Sequence, residues 1–264
     1  MDSLLVWTPL LLEWVFFVTI TSAYAFSNNA FLYKRPTLGI ALWLGAFLSA
    51  GLATAAALVM SLLWAFDQWQ IPHAVSHRSW LATLSITFLP WILLALAGIS
   101  LAVISARLDE AAGTTTKNLP ASYTPLLPTT SVDGIALNKI QLDVPIVFSS
   151  RSSRGPLIVI STGAEQVLSP DELRAVVHHE AAHYRFKHTL VLRLLSTIKI
   201  LSFKVVATKV LDRELSLLLE LQADRYASKE TSPAHLRSAL TKFYELAPDA
   251  ELRLRILNLK HHFD

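Results

Sequence analysis

The amino-acid sequence predicts a mainly α-helical membrane protein with three transmembrane helices and a small α+β domain behind them. Of the 264 residues, 53% are hydrophobic and 16% are charged, whereas a soluble domain has about 25% charged residues. The charges are also unevenly distributed. Residues 1–106 contain three basic and three acidic residues, and all other charged residues follow them. The chain therefore has an apolar N-terminal part and a C-terminal part that faces water.

Three long stretches, uncharged except for Glu13 in the first, predict the transmembrane helices, which we place near residues 5–26, 38–64 and 81–104. Each stretch exceeds the roughly 20 apolar residues that cross a bilayer. All seven tryptophans lie in this part of the chain, several near predicted span ends, where indole rings favour the interface. A cleavable signal peptide is the alternative for the first stretch, because Ala23-Tyr24-Ala25 resembles a cleavage site. No basic residue precedes the stretch, and this favours a span.

The basic residues predict how the spans are oriented. Lys34 and Arg35 lie between the first two predicted spans, and basic residues from Arg107 onward follow the third. Since basic loops favour the cytoplasmic side, we expect the N-terminus outside and residues 107–264 at the cytoplasmic face of the cell membrane. The net charge is only +3 and no basic run reaches five residues. We therefore expect contact with the lipid bilayer and no direct contact with nucleic acid.

The segment after the predicted spans begins with a linker over 107–133, rich in Thr, Pro, Ala and Ser, followed by a domain over 134–264. Three short runs rich in β-branched residues, Ile135–Leu142, Val144–Ser149 and Leu157–Ser161, predict a two- or three-stranded antiparallel sheet. The last run is expected either to form an edge strand that pairs with an extended peptide or simply to pack on the next helix.

A well-marked helix follows the sheet. Ser169 and Glu172 predict a capping box, with Pro170 at the first helical position, and the helix extends to about His188. Residues 189–211 are apolar but carry a basic residue every five or six positions. This pattern favours an amphipathic helix that lies on the inner leaflet or dips into it. A fourth span is the alternative, because long basic side chains can reach the interface.

The capped helix carries the sequence His179-Glu180-Ala181-Ala182-His183. Histidines at i and i+4 lie on one helix face, so both imidazoles can converge on one ion. The chain has no cysteine, which excludes thiolate ligands, and Zn²⁺ suits neutral imidazole. Glu180 is placed to act as a general base on a zinc-activated water. The alternative is a surface helix with solvated histidines.

A third ligand is expected from a later helical segment. Glu220 can complete a His-His-Glu set, and Asp224, one turn further on, can hydrogen-bond to a ligating histidine. Glu214 is the competing carboxylate, but no acid follows it at i+4.

Several other polar residues receive no role in the predicted site. His178 is expected to point off the ligand face and to be only a neighbour of the site, and His188 and His235 are interpreted as ordinary surface or core residues. Arg225 and Tyr226 could stabilise an oxyanion, but most such residues near a metal helix do not, and they stay outside the predicted set.

With His179–His183 and Glu220–Asp224 together, the chain resembles the gluzincin metallopeptidases. The run LSPDELRAVVHHEAAHYRFKH (168–188) resembles integral-membrane peptidases of the BlaR/MecR antirepressor type, especially short forms that occur beside BlaI-like repressors. It is also similar to Ste24/HtpX-type membrane peptidases. The resemblance covers roughly residues 145–230.

This resemblance implies a gluzincin-like zinc protease domain. His179, His183 and Glu220 would bind Zn²⁺, Glu180 would be catalytic and Asp224 would support a ligand. The implied partner is a protein or peptide substrate, such as a winged-helix repressor of the BlaI type. A damaged or unassembled membrane protein is an alternative substrate. A non-catalytic membrane sensor or scaffold stabilised by zinc is the alternative function.

Overall fold

The computed structural model describes residues 2–70, 131–152, 155–201 and 206–263. These residues form two compact units. Described residues of the first unit are 2–28, 41–70, 197–201 and 206–212, and those of the second are 29–40, 131–152, 155–196 and 213–263. The third predicted span at 81–104 and most of the predicted linker lie outside the described residues.

The N-terminal part of the chain is helical, with α1 (Asp2–Phe26), α2 (Ala30–Lys34) and α3 (Pro36–Gln70). In the described residues, two helices are long and apolar enough to cross a membrane, over Pro9–Phe26 and Pro36–Ser61, which agrees with the first two predicted spans. Large side chains of α1 are exposed, with Phe16 at 70%. Exposed apolar surface of this kind is typical of a helix that faces lipid.

Among the described residues, the second unit contains a four-stranded sheet, with β1 (Ser131–Val132), β2 (Ile135–Ile140), β3 (Val147–Ser152) and β4 (Gly155–Ser161) in the order β1-β2-β4-β3. β4 pairs in parallel with β2 and antiparallel with β3. The prediction of a purely antiparallel sheet is therefore wrong, because the chain crosses from one side of β4 to the other after β2.

The crossing is held at the end of β4 by the Ser161 side chain. Its hydroxyl donates to the carbonyl of Val144 at 2.8 Å and accepts from the Ile146 amide at 3.0 Å. Gly163 donates its amide to the carbonyl of Leu142 at 2.8 Å, and a Cβ at this position would collide with the backbone of Asp143. These contacts shape residues 141–146 into the crossing, so β3 begins later than the sequence predicts.

In the part of the chain that the structure describes, six helices follow the sheet: α4 (Thr162–Val167), α5 (Pro170–Arg185), α6 (His188–Leu201), α7 (Val206–Glu230), α8 (Pro233–Leu246) and α9 (Ala250–Phe263). The predicted capping box of α5 is confirmed, since Ser169 and Glu172 exchange both hydrogen bonds. The helix ends at Arg185, three residues earlier than predicted, and Lys187 adopts a left-handed φ of 54° in the turn that follows.

Helix α5 is packed on two sides. Val177 and Ala181 pack on the sheet against Ile158 and Ile160, while Ala175 packs in a cluster with residues of α7, α8 and α9 (Ala227, Leu236, Leu240 and Leu259). A helix enclosed in this way has little freedom to rotate or shift. It therefore holds its polar side chains at fixed positions.

Segment 29–40 is tied to α7 by polar contacts. Tyr33 Oη donates to Glu214 Oε2 at 2.9 Å, and Gln222 Nε2 donates to Thr37 Oγ1 at 3.0 Å. Arg225 Nη1 donates to the carbonyl of Lys34 at 2.7 Å. The residues around the start of the second apolar stretch are thus fixed to the same helix that carries Glu220 and Asp224.

Candidate metal centre

The two histidines of the predicted motif face each other across one turn of α5. His179 Nε2 and His183 Nε2 lie 3.2 Å apart, and the two rings meet edge to face at 5.0 Å between centroids. His179 is buried and His183 is partly buried. Two ring nitrogens aimed at one point in a shielded position suit a shared cation.

The structure brings Glu220 of α7 to this histidine pair. Glu220 Oε2 lies 3.2 Å from His179 Nε2, and Oε1 lies 3.6 Å from His183 Nε2. Tetrahedral Zn²⁺ with bonds of about 2.0–2.1 Å places its ligand atoms about 3.3 Å apart. The three side chains therefore match the spacing that a zinc ion requires.

The competing carboxylate, Glu214, is engaged elsewhere. It is fully buried, accepts from Tyr33, and forms an ion pair with Arg213 Nη2 at 2.8 Å. The structure thus separates the two candidate glutamates, with Glu220 at the histidine pair and Glu214 against α2.

Asp224 lies behind His179. Its Oδ1 is 2.9 Å from His179 Nδ1, so in the neutral ring Nδ1 carries the proton and the lone pair of Nε2 points toward Glu220 and His183. Although burial and the charge of Arg255 favour the neutral ring, Asp224 and Glu220 raise the pKa of His179 to about 9. A cation must therefore displace a proton when it binds to His179.

Glu180 stands beside the three ligand atoms and is held by the backbone of β3. Its Oε2 accepts from the Ser149 amide at 2.8 Å. Burial raises the pKa of Glu180, and a raised pKa makes a carboxylate a better proton acceptor near neutral pH. Glu180, His179 and His183 also offer a group of possible ligand atoms within 4.8 Å of one another.

His188 is not the ordinary residue that the sequence predicts. It is 1% exposed, with Nδ1 2.9 Å from His183 Nδ1 and Nε2 2.9 Å from Gln222 Oε1. Since Gln222 Nε2 donates to Thr37, its oxygen accepts from His188 Nε2. His188 Nδ1 then accepts from His183 Nδ1, which leaves His183 Nε2 free to bind a cation.

Arg255 of α9 completes the site, although it is not among the site residues predicted from the sequence. Its guanidinium donates to both oxygens of Asp224 at 2.7 and 2.8 Å and pairs with Glu220 Oε2 at 2.8 Å. Burial favours the neutral form of Glu220, but His179 and Arg255 lower its pKa to about 2. An arginine 31 residues beyond Asp224 has no spacing that could mark it.

The two oxyanion candidates considered from the sequence lie away from these ligand atoms. Arg225 binds the carbonyl of Lys34, and Tyr226 Oη donates to Asp133 Oδ2 at 2.6 Å. His178 packs near the Tyr226 ring, with 6.4 Å between centroids. Of the two arginines, Arg225 and Arg255, it is Arg255 that lines the cleft over the candidate metal ligands.

A cleft of about 310 Å³ opens over the candidate metal ligands. Apolar side chains of β3, α5 and α8 form much of its wall, including Val147, Val176, Leu240 and Phe243. The expectation that Leu157–Ser161 forms an edge strand is wrong, because β4 lies between β2 and β3. The edge of the sheet next to the cleft is β3.

The cleft is thus surrounded by a histidine pair and two carboxylates. This combination is typical of the sites of metal-dependent hydrolases. Residues 148–219, which are 72 of the 264 residues, match the profile of Peptidase family M48. The matched region includes β4 and the whole of α5 and ends one residue before Glu220. No curated protein matches the chain. The family match supports a metallopeptidase, and together with the two apolar helices it indicates a membrane protein.

Proposed function

We propose that the protein is a membrane-bound zinc metalloendopeptidase that hydrolyses peptide bonds of a protein substrate. The observation that carries the proposal is the spacing of His179 Nε2, His183 Nε2 and the Glu220 oxygens, 3.2 to 3.6 Å apart, with Glu180 beside them. This spacing suits tetrahedral zinc, and a glutamate next to the first histidine suits a general base.

Each side chain has a proposed part in hydrolysis. His179, His183 and Glu220 would hold Zn²⁺, which when bound polarises a peptide carbonyl and lowers the pKa of a water molecule. Glu180 would take the proton of the attacking water and return it to the leaving amine. Asp224 and His188 would keep their histidines in the tautomer that presents Nε2.

The shape of the site supports a peptide substrate. In the described sheet β3 is the edge strand beside the cleft, and an extended chain can add to such a strand through main-chain hydrogen bonds. The apolar wall beside it can take an apolar side chain. Since Val147 of β3 lines the cleft, a peptide at this edge would place its backbone close to Glu180.

The cellular setting follows from the charge pattern and the resemblance. We propose that the N-terminus lies outside and the protease domain at the cytoplasmic face of the cell membrane, because Lys34 and Arg35 lie between the apolar helices. We propose a cytoplasmic protein substrate, and the BlaR/MecR resemblance favours a winged-helix repressor of the BlaI type.

The substitution Glu180→Gln tests the proposal. The full chain, purified in detergent, should keep one zinc ion per chain by elemental analysis, because Glu180 is not among the three proposed ligands. Cleavage should fall by about 10²–10⁴-fold. Proteomics of new N-termini, comparing cells that express the unmodified protein or the variant, should find cleavage products that the variant lacks.

A matched control is Glu165→Gln, which removes a surface glutamate paired with Lys139 and should leave cleavage unchanged. Products that persist in the Glu180→Gln cells would contradict a catalytic role for Glu180. A purified chain without metal would contradict the whole assignment. Products from a winged-helix repressor support regulated proteolysis, whereas products from many membrane proteins support quality control.

A further inference from the structure

A second cavity, of about 120 Å³, lies in the same unit, and Asp224 is part of its wall, whereas His179 lines the larger cleft. Its wall is formed by the chain around Lys34 together with α7 and α9. Lys34, Arg225 and Lys229 contribute positive charge to this wall, and Asn258 contributes an amide. The peptidase mechanism uses none of these four side chains.

The positive charges of Lys34, Arg225 and Lys229 are accessible to an anion. All three side chains are exposed, and the contact known for Arg225 is with the neutral carbonyl of Lys34. Among the described residues, no carboxylate forms an ion pair with any of the three. The carboxylate that lines the cavity, Asp224, is already neutralised by two hydrogen bonds from Arg255. An anion in the cavity therefore meets a net positive wall.

The position along the chain indicates where an anion would come from. Lys34 lies between the apolar stretches Pro9–Phe26 and Pro36–Ser61, two residues before the second one begins. If these stretches cross the bilayer, as the proposed function requires, Lys34 lies at the level of the lipid headgroups. The neighbouring Arg35 is directed elsewhere, with its guanidinium over the Phe31 ring at 5.1 Å.

We propose that this cavity binds a phosphate group, and that its position makes the headgroup of an anionic phospholipid the source. The volume suits a group of this size, because a protein cavity of roughly 150 Å³ holds one benzene molecule. Basic side chains near the cytoplasmic surface attract anionic lipids. The acyl chains would remain outside the cavity.

Lipid binding to the full chain in detergent tests the proposal, with native mass spectrometry as the readout. Dioctanoyl phosphatidylglycerol should bind with a stoichiometry of one and at least 10-fold more tightly than dioctanoyl phosphatidylcholine. The double variant Lys34→Gln/Lys229→Gln should weaken phosphatidylglycerol binding at least 10-fold. The control Arg35→Gln/Lys260→Gln also removes two positive charges, but neither residue lines the cavity, and binding should change less than 2-fold.

Equal weakening by the two double variants would overturn the proposal, because it would show general attraction to a basic surface. Equal binding of the two lipids by the unmodified protein would overturn it as well. Inorganic phosphate serves as a competitor on the unmodified protein. Displacement of the lipid at millimolar phosphate supports the phosphate site and assigns free phosphate as a second source, whereas no displacement assigns the site to lipid.

The measurement is independent of peptidase activity. The Glu180→Gln protein should bind phosphatidylglycerol as the unmodified protein does. If lipid binding fails, the hydrolase proposal is therefore unaffected. If cleavage fails, the proposal of a phosphate-binding cavity is unaffected.

Discussion

Asp224 Oδ1 lies 2.9 Å from His179 Nδ1, and the same carboxylate accepts two hydrogen bonds from Arg255. One buried carboxylate thus orients a candidate metal ligand while a cation holds the carboxylate in place. In such an arrangement, residues that hydrogen-bond to the metal ligands affect how tightly the metal is bound.

Asp224→Asn should weaken zinc binding by about 10–100-fold, because an amide holds His179 in the required tautomer less well than a carboxylate. Competition with a chromophoric chelator measures the affinity. An unchanged affinity in a folded variant would show that His179 does not depend on Asp224.

Glu220 and Glu214 of α7 should differ in their effect on zinc occupancy when each is changed to Gln. Glu220→Gln removes a proposed ligand and should lower zinc occupancy well below one per chain after dialysis. Glu214→Gln should leave occupancy at one, since Gln can still accept from Tyr33. Elemental analysis of both variants decides the matter, and the opposite result would make Glu214 the ligand.

His188→Leu should lower zinc affinity by about 10-fold, because His183 Nδ1 loses the acceptor that fixes its tautomer. His188→Gln keeps an acceptor and should recover part of the loss, which a purely steric role would not predict. His235→Leu serves as the control histidine. Equal zinc affinities for the Leu and Gln variants of His188 would argue for packing alone.

Glu172 should make stability depend on pH. Burial favours its neutral form, but hydrogen bonds from Lys242, Ser238 and Ser169 lower its pKa from 4.5 to about 2. The folded state therefore prefers the ionised carboxylate, and this stabilisation is complete above pH 4.5 and is lost as the pH falls from 4.5 toward 2. It should amount to about 1–2 kcal/mol, because Lys242 is partly exposed and water screens the pair.

Thermal melting of the unmodified protein and of Glu172→Gln measures this contribution. The difference in Tm should be largest above pH 5 and should shrink toward pH 3. A difference that stays constant over this range would mean that the carboxylate charge contributes nothing.

The sequence predicted those parts of the site that follow from helix geometry. The i, i+4 spacing of His179 and His183 places them on one face of any helix, and the capping box at Ser169 marks where that helix begins. Glu220 and Asp224 could be predicted for the same reason, since they too are one turn apart and the histidine pair needed a third ligand.

Other features depend on tertiary contacts that no spacing reveals. The mixed sheet results from the contacts of Ser161 and Gly163 with residues 141–146, which act across the end of a strand. Arg255 and His188 belong to the site because α9 and the start of α6 are packed against α5 and α7. Their roles could be seen only once the helices were placed.

The place of Arg255 in the final helix has a practical consequence for protein engineering. A stop codon introduced before position 255 would delete one guanidinium and leave Glu220 and the fully buried Asp224 without their cation. Loss of one partner from such a pair typically costs about 3–5 kcal/mol. Shortened expression versions of this protein should therefore retain α9, even though every proposed zinc-binding residue lies upstream of it.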